Sequence, residues 1–146
     1  MQPTSNQTAS TASSETPAPE ASPALSSLIS SAAPGARVFF IEPQSGAVLS
    51  SPITVKFGIE NMTVAPAGTD IPNSGHHHLL INLQEMPDLS QPLPASEQVI
   101  HFGKGQTETM LELEPGQHTL QLLLGNYLHI PHEQPVMSEP IEITVE

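Results

Sequence analysis

From residue 36 onward the chain carries no helical period of useful length. Short stretches of alternating apolar and polar residues recur instead, each closed by a Pro, Gly or Asn turn. ITVKFGIE (53–60) is the clearest: Ile53, Val55, Phe57 and Ile59 fall on one face, Thr54, Lys56 and Glu60 on the other. ARVFFIE (36–42), HHHLLINL (76–83), QVIHF (98–102), TETMLELE (107–114), QHTLQLLLG (117–125) and IEITVE (141–146) read the same way. About seven short strands with turns at regular spacing predict an all-β, two-sheet sandwich of immunoglobulin-like type. A cupredoxin-like sandwich is the nearest alternative, and a small barrel comes third. Gly103-Lys104-Gly105-Gln106 reads as the turn of a hairpin.

Residues 1–34 differ. Apart from Leu25, Leu28 and Ile29 they offer almost no large apolar side chains. Such a stretch cannot bury enough surface to offset its ordering entropy, so it reads as a disordered Ser/Thr/Ala/Pro-rich tether. Residues 35–146 then form the sandwich domain, with the boundary at Pro34-Gly35. No apolar run approaches the ~20 residues of a membrane-spanning helix. The composition of the first residues resembles a bacterial lipoprotein just past its lipidated cysteine. The expected location is therefore the periplasm or cell surface, with membrane contact only through an N-terminal lipid anchor that this chain lacks.

Charge narrows the partners. The chain has 15 acidic against 3 basic residues, a net charge of −12. Phosphate backbones and anionic lipid surfaces demand the opposite sign, so no nucleic-acid partner is expected. Cations are attracted. There is no Cys, hence no disulfide and no thiolate metal site.

The histidines are the chemistry-bearing feature. Three are consecutive at the mouth of the third strand, and strand geometry splits them. His77, Leu79, Ile81 and Leu83 share the core face. His76, His78, Leu80 and Asn82 share the outer face, where the two imidazoles stand about 7 Å apart at the backbone. A second cluster, His129-Ile130-Pro131-His132, sits in a loop that Pro131 stiffens. In an immunoglobulin-like order the third and sixth strands are antiparallel neighbours, so the start of one lies beside the end of the other. His76, His78, His129 and His132 then converge on one rim as candidate metal ligands, with Met137, and Met62 behind it, as soft donors. Histidine-only coordination suits copper or zinc, and a thioether tilts the choice toward copper. The competing account is structural: imidazoles at strand ends bridge loops through both nitrogens. His77 is expected to pack inward, His118 to lie at the opposite rim, and His101 has no place fixed by sequence.

Other motifs carry less. GKG between two strands lacks the strand–loop–helix setting of a phosphate loop. Ser50, Ser51 and Ser74 have no evident Asp–His partners for a hydrolase triad. Glu108, Glu112 and Glu114 form a solvated strand face.

Taken together, GARVFFIEPQSGAVLSSPITVKFGIENMTVAPAG, NSGHHHLLI, HFGKGQTET and PGQHTLQLLLGNYLHIPHEQPV resemble a family of small exported bacterial domains of unknown function. The resemblance spans nearly all of residues 35–146. It implies a cell-envelope setting and no activity. Members often carry an acidic residue after the Gly at position 125, where this chain has Asn126; if that carboxylate helps hold a cation, this chain binds one more weakly. The expectation is a non-enzymatic envelope domain that binds copper or zinc for buffering or delivery, with an envelope protein as a further partner. The alternative is a metal-independent module for protein or glycan recognition, in which Tyr127 is the one aromatic suited to sugar stacking.

Overall fold

A computed structural model describes residues 28–146. The expected disorder of residues 1–27 lies outside the described residues. Nine strands follow one another: β1 (Arg37–Glu42), β2 (Val48–Leu49), β3 (Ile53–Glu60), β4 (Thr63–Val64), β5 (Ser74–Ile81), β6 (Val99–His101), β7 (Glu108–Leu111), β8 (Gly116–Gly125) and β9 (Ile141–Val145). They form two sheets, as the sequence pattern requires. One has the order β1-β3-β7. The other runs β2-β9-β8-β5-β4, with β6 also paired to β5. The short strands β2 and β4 join by parallel pairing and escape a pattern search because two residues show no period.

The alternation in β3 does what it predicts. Ile53, Val55 and Phe57 are buried, while Thr54 and Lys56 are only half-buried. Between the sheets, Val38, Ile53, Val55, Phe57, Leu79, Ile81, Leu111, Leu120, Leu122, Leu124, Ile143 and Val145 build the main core. The third and sixth expected strands are β5 and β8, and they pair antiparallel with His76 opposite Gly125 and Leu79 opposite Leu122. The start of β5 thus lies beside the end of β8.

Two expectations change. First, β6 and β7 are not a hairpin. β6 pairs with β5, with His78 opposite His101, whereas β7 pairs with β3. The Gly103–Gln106 turn carries the chain from one sheet to the other; it is closed by Gly105 N–H donating to the Phe102 carbonyl at 3.0 Å. Second, the outer face of β5 is not open. Every residue of β5 is buried. The proline-rich excursion after β5 folds back over it, and Leu80, Leu93, Val99 and Leu123 make a second small core with Leu83 and Leu89. Leu93 N–H donates to the His129 carbonyl at 2.8 Å, which ties this cover to the histidine loop. A strand buried on both faces is unusual for a half-solvated antiparallel sheet, and here the coil supplies the second layer.

Residues 28–34, read as tether, lie along the domain. Ala32 and Ala33 pack against the main core. Ser30 and Leu28 accept hydrogen bonds from the Asn126 side chain.

Candidate metal centre

Three elements bring the rings together. The two-residue period of β5 puts His76 and His78 on one face, and their ring centroids are 4.6 Å apart. The loop after β8 supplies His129, whose ring meets His76 edge-on at 4.7 Å and His78 at 5.6 Å. Loop shape is set by Asn126, which is 1% exposed. Its Oδ1 accepts from Leu128 N–H at 2.8 Å and Ile130 N–H at 3.1 Å. Its carbonyl accepts from His129 N–H at 2.9 Å. This Asx-type turn holds His129 at a φ of 65°, a left-handed conformation uncommon for His. Gly125, at the end of β8, leaves the space that the His78 ring fills.

The nitrogens converge. His76 Nε2 lies 2.9 Å from His129 Nδ1, and His78 Nε2 lies 3.4 Å from the same atom. All three ligand atoms fall within 4.8 Å of one another. Two nitrogens bound tetrahedrally to one ion at ordinary His–metal lengths stand about 3.3 Å apart. The spacing therefore suits a shared cation with little rearrangement. Hydrogen bonding alone fits less well. A neutral imidazole nitrogen has either one proton or one lone pair, so His129 Nδ1 can satisfy only one of its two neighbours. His76 takes the shorter contact and His78 is left with the longer, weaker one.

Electrostatics favour the ligating form. Burial, reinforced by the neighbouring imidazoles, pushes the His76 pKa down to about 4 and that of His78 down to about 2. Burial also lowers His129, with His101 adding to it. All three rings are neutral at neutral pH, the state that binds metal. No carboxylate belongs to the set, so a bound cation would sit among uncharged donors. His76 and His78 are fully buried and His129 is half-buried, which makes the His129 side the way in. The outward nitrogens, His76 Nδ1 and His78 Nδ1, have no partner among the described residues. Metal-bound histidines normally donate that proton to a carboxylate or carbonyl; the Leu123 carbonyl beside the His78 ring can take that role, while no such group lies by His76 among the described residues.

The remaining sequence candidates are placed as follows. His132 reaches the same rim, yet its Nε2–H donates to the Ser74 carbonyl at 3.2 Å, and it is not one of the three convergent ligands. Met137 pairs with Leu123 on the far side of β8 from β5, with its sulfur 3.8 Å from Gln121 Nε2. Met62 is buried in the main core. His77 packs inward with its ring 5.0 Å from Phe57. His118 is fully satisfied: Asn82 Nδ2 donates to its Nδ1 at 2.9 Å, and its Nε2–H donates to the Glu114 carbonyl at 2.7 Å. His101 is the residue that sequence reasoning missed. Its ring lies 4.4 Å from that of His78 and 4.5 Å from that of His129. The only signal was its place at the end of a strand, and nothing in the sequence named β5 as that strand's partner.

Fold and site together define a β-sandwich with a buried, nitrogen-only candidate metal centre at one rim. The chain belongs to the family described as a domain of unknown function, DUF4399, which matches residues 55–146 and so includes all of these histidines. No curated protein and no solved structure matches the chain.

Proposed function

We propose that this protein is a non-enzymatic cell-envelope domain that binds a transition-metal ion, copper ahead of zinc, for buffering or delivery. His76, His78 and His129 are its ligands. The observation that carries this reading is the meeting of three ring nitrogens in a buried spot, with contacts of 2.9 and 3.4 Å to one shared atom, a spacing that suits a common ion. Copper leads because, for a given nitrogen site, it stands highest in the affinity order of divalent first-row metals. Met137 lends no support to that choice, since its sulfur is turned to Gln121. The envelope location rests on the composition of residues 1–34, and the chain's net charge of −12 suits cation capture.

A second reading has one observation in its favour. The 2.9 Å His76–His129 contact is a good hydrogen bond without any ion, so the cluster can pin the 126–132 loop for a protein or glycan partner.

Thermal melts separate the two. Tag-free protein stripped of metal gains stability with Cu(II), and less with Zn(II), because a ligand that binds only the folded state stabilises by about 2.7 kcal/mol at 100 times its Kd. An unchanged melting temperature at saturating metal favours the metal-independent module.

A further inference from the structure

We infer that His101 is a fourth ligand, so that the ion is held by four imidazoles from β5, β6 and the loop after β8. This rests on the reading of His76, His78 and His129 as ligands and extends it.

Three observations point to His101. It lies directly across the β5–β6 ladder from His78, and residues so paired project from the same face. Its ring packs against two of the three ligand rings, at 4.4 Å from His78 and 4.5 Å from His129. Its Nε2 is buried and has no partner among the described residues. His132 also has an orphaned nitrogen, Nδ1, but its other nitrogen is bonded to the Ser74 carbonyl, and unlike His101 it does not lie across a strand ladder from a ligand. An orphaned nitrogen beside three convergent ones costs stability unless something joins them.

In the present arrangement His101 is outside the three-way set. Little stands in the way of its entry. β6 is only three residues long and His101 is its last residue, half-buried, before Phe102 anchors the chain in the main core. A turn of the His101 side chain completes a tetrahedral set, the common geometry of closed zinc sites and one open to copper. β5 and β6 supply nitrogens from paired strands, and the loop ligand closes the set. The result is a holding site with no vacant position, in keeping with storage or transfer rather than catalysis.

The test uses Co(II) as a spectroscopic stand-in and Cu(II) for affinity, on the full chain and on His101→Ala. His118→Ala serves as a control for loss of a histidine elsewhere. The full chain should give the intense visible absorption of four-coordinate Co(II), unchanged by added imidazole. His101→Ala should bind Cu(II) more weakly by more than about 100-fold, beyond the loss of an outer-shell partner. Its cobalt spectrum should change, and added imidazole should restore it by filling the vacated position. Equal affinity and an identical spectrum in His101→Ala would make His101 a spectator and overturn this inference while leaving the three-histidine site intact. Absence of metal binding by the full chain would overturn both. If His101→Ala proves misfolded by circular dichroism, His101→Gln, which retains a polar side chain, carries the same test.

Discussion

Gly125 stands where a Cβ would lie 2.5 Å from Cε1 of His78 and 3.1 Å from its Nδ1. The pair explains why a ten-residue strand rich in leucine ends in glycine. His78 is fully buried on the covered face of β5, and its ring occupies the space that any side chain at position 125 would need.

Gly125→Ala should therefore push the ring out of place. Overpacking of this kind costs about 1–3 kcal/mol, read as a lower denaturation midpoint without metal. The same variant should lose most of the metal-dependent gain in melting temperature. Unchanged stability would show that the His78 ring has another place to go.

His129→Asn separates ligation from folding. Asn tolerates the left-handed backbone at this position, and His129 is the half-buried member of the triad. Stability without metal should fall by no more than about 1–3 kcal/mol, the cost of leaving buried His76 Nε2 without its partner. The shift in melting temperature with Cu(II) should shrink, because one of the nitrogens is lost. A shift of undiminished size would remove His129 from the ligand set.

Asn126 organises the loop rather than the ion. Both of its side-chain ends are occupied, the oxygen by Leu128 and Ile130 N–H groups and the nitrogen by Leu28 and Ser30. Asn126→Ala leaves several buried groups unpaired and should cost about 1–3 kcal/mol. Asn126→Asp keeps the acceptor that the loop N–H groups use but loses the two donated bonds. It should leave the metal stoichiometry unchanged, because that oxygen is turned to the loop backbone. A rise in metal affinity on Asn126→Asp would instead assign the carboxylate to the ion.

Stability should depend on pH with a definite sign. In the unfolded chain these imidazoles titrate near 6.5, whereas in the fold His76 and His77 are held down at about 4 and His78 at about 2. The unfolded state thus binds more protons below 6.5. Stability is fully present above pH 6.5 and falls as pH drops toward 4, with His78 continuing the loss below that, by up to about 1.4 kcal/mol per pH unit for each proton. Chemical denaturation from pH 8 to pH 4 measures it. His77→Phe offers a check, since both of its ring nitrogens are buried without partners against Phe57. That variant should be at least as stable at pH 7 and show a shallower loss below 6.5. An equally steep loss would place the titration elsewhere.

Much of this was legible in the sequence. The period of two in β3, β5 and β8 defined strands and faces, and the sandwich order put the start of β5 beside the end of β8, where His76 pairs with Gly125. The depth of the site was not legible. It comes from the excursion after β5, a proline-rich coil with no period, whose Leu93 is tied to the His129 carbonyl. The contribution of His101 was hidden for a related reason. A three-residue strand can pair with either neighbour, and tertiary packing alone gave it to β5. His132 had the right rim but the Ser74 carbonyl as its partner, a choice that depends on ring rotation and leaves no mark in sequence.

The most direct measurement is electron paramagnetic resonance of the tag-free chain with one equivalent of Cu(II), with pulsed methods counting the coordinated imidazoles. The account predicts one bound ion with at least three histidine nitrogens, reduced by one in His129→Asn. Copper that stays free in solution, or that binds through carboxylate oxygens alone, would contradict it.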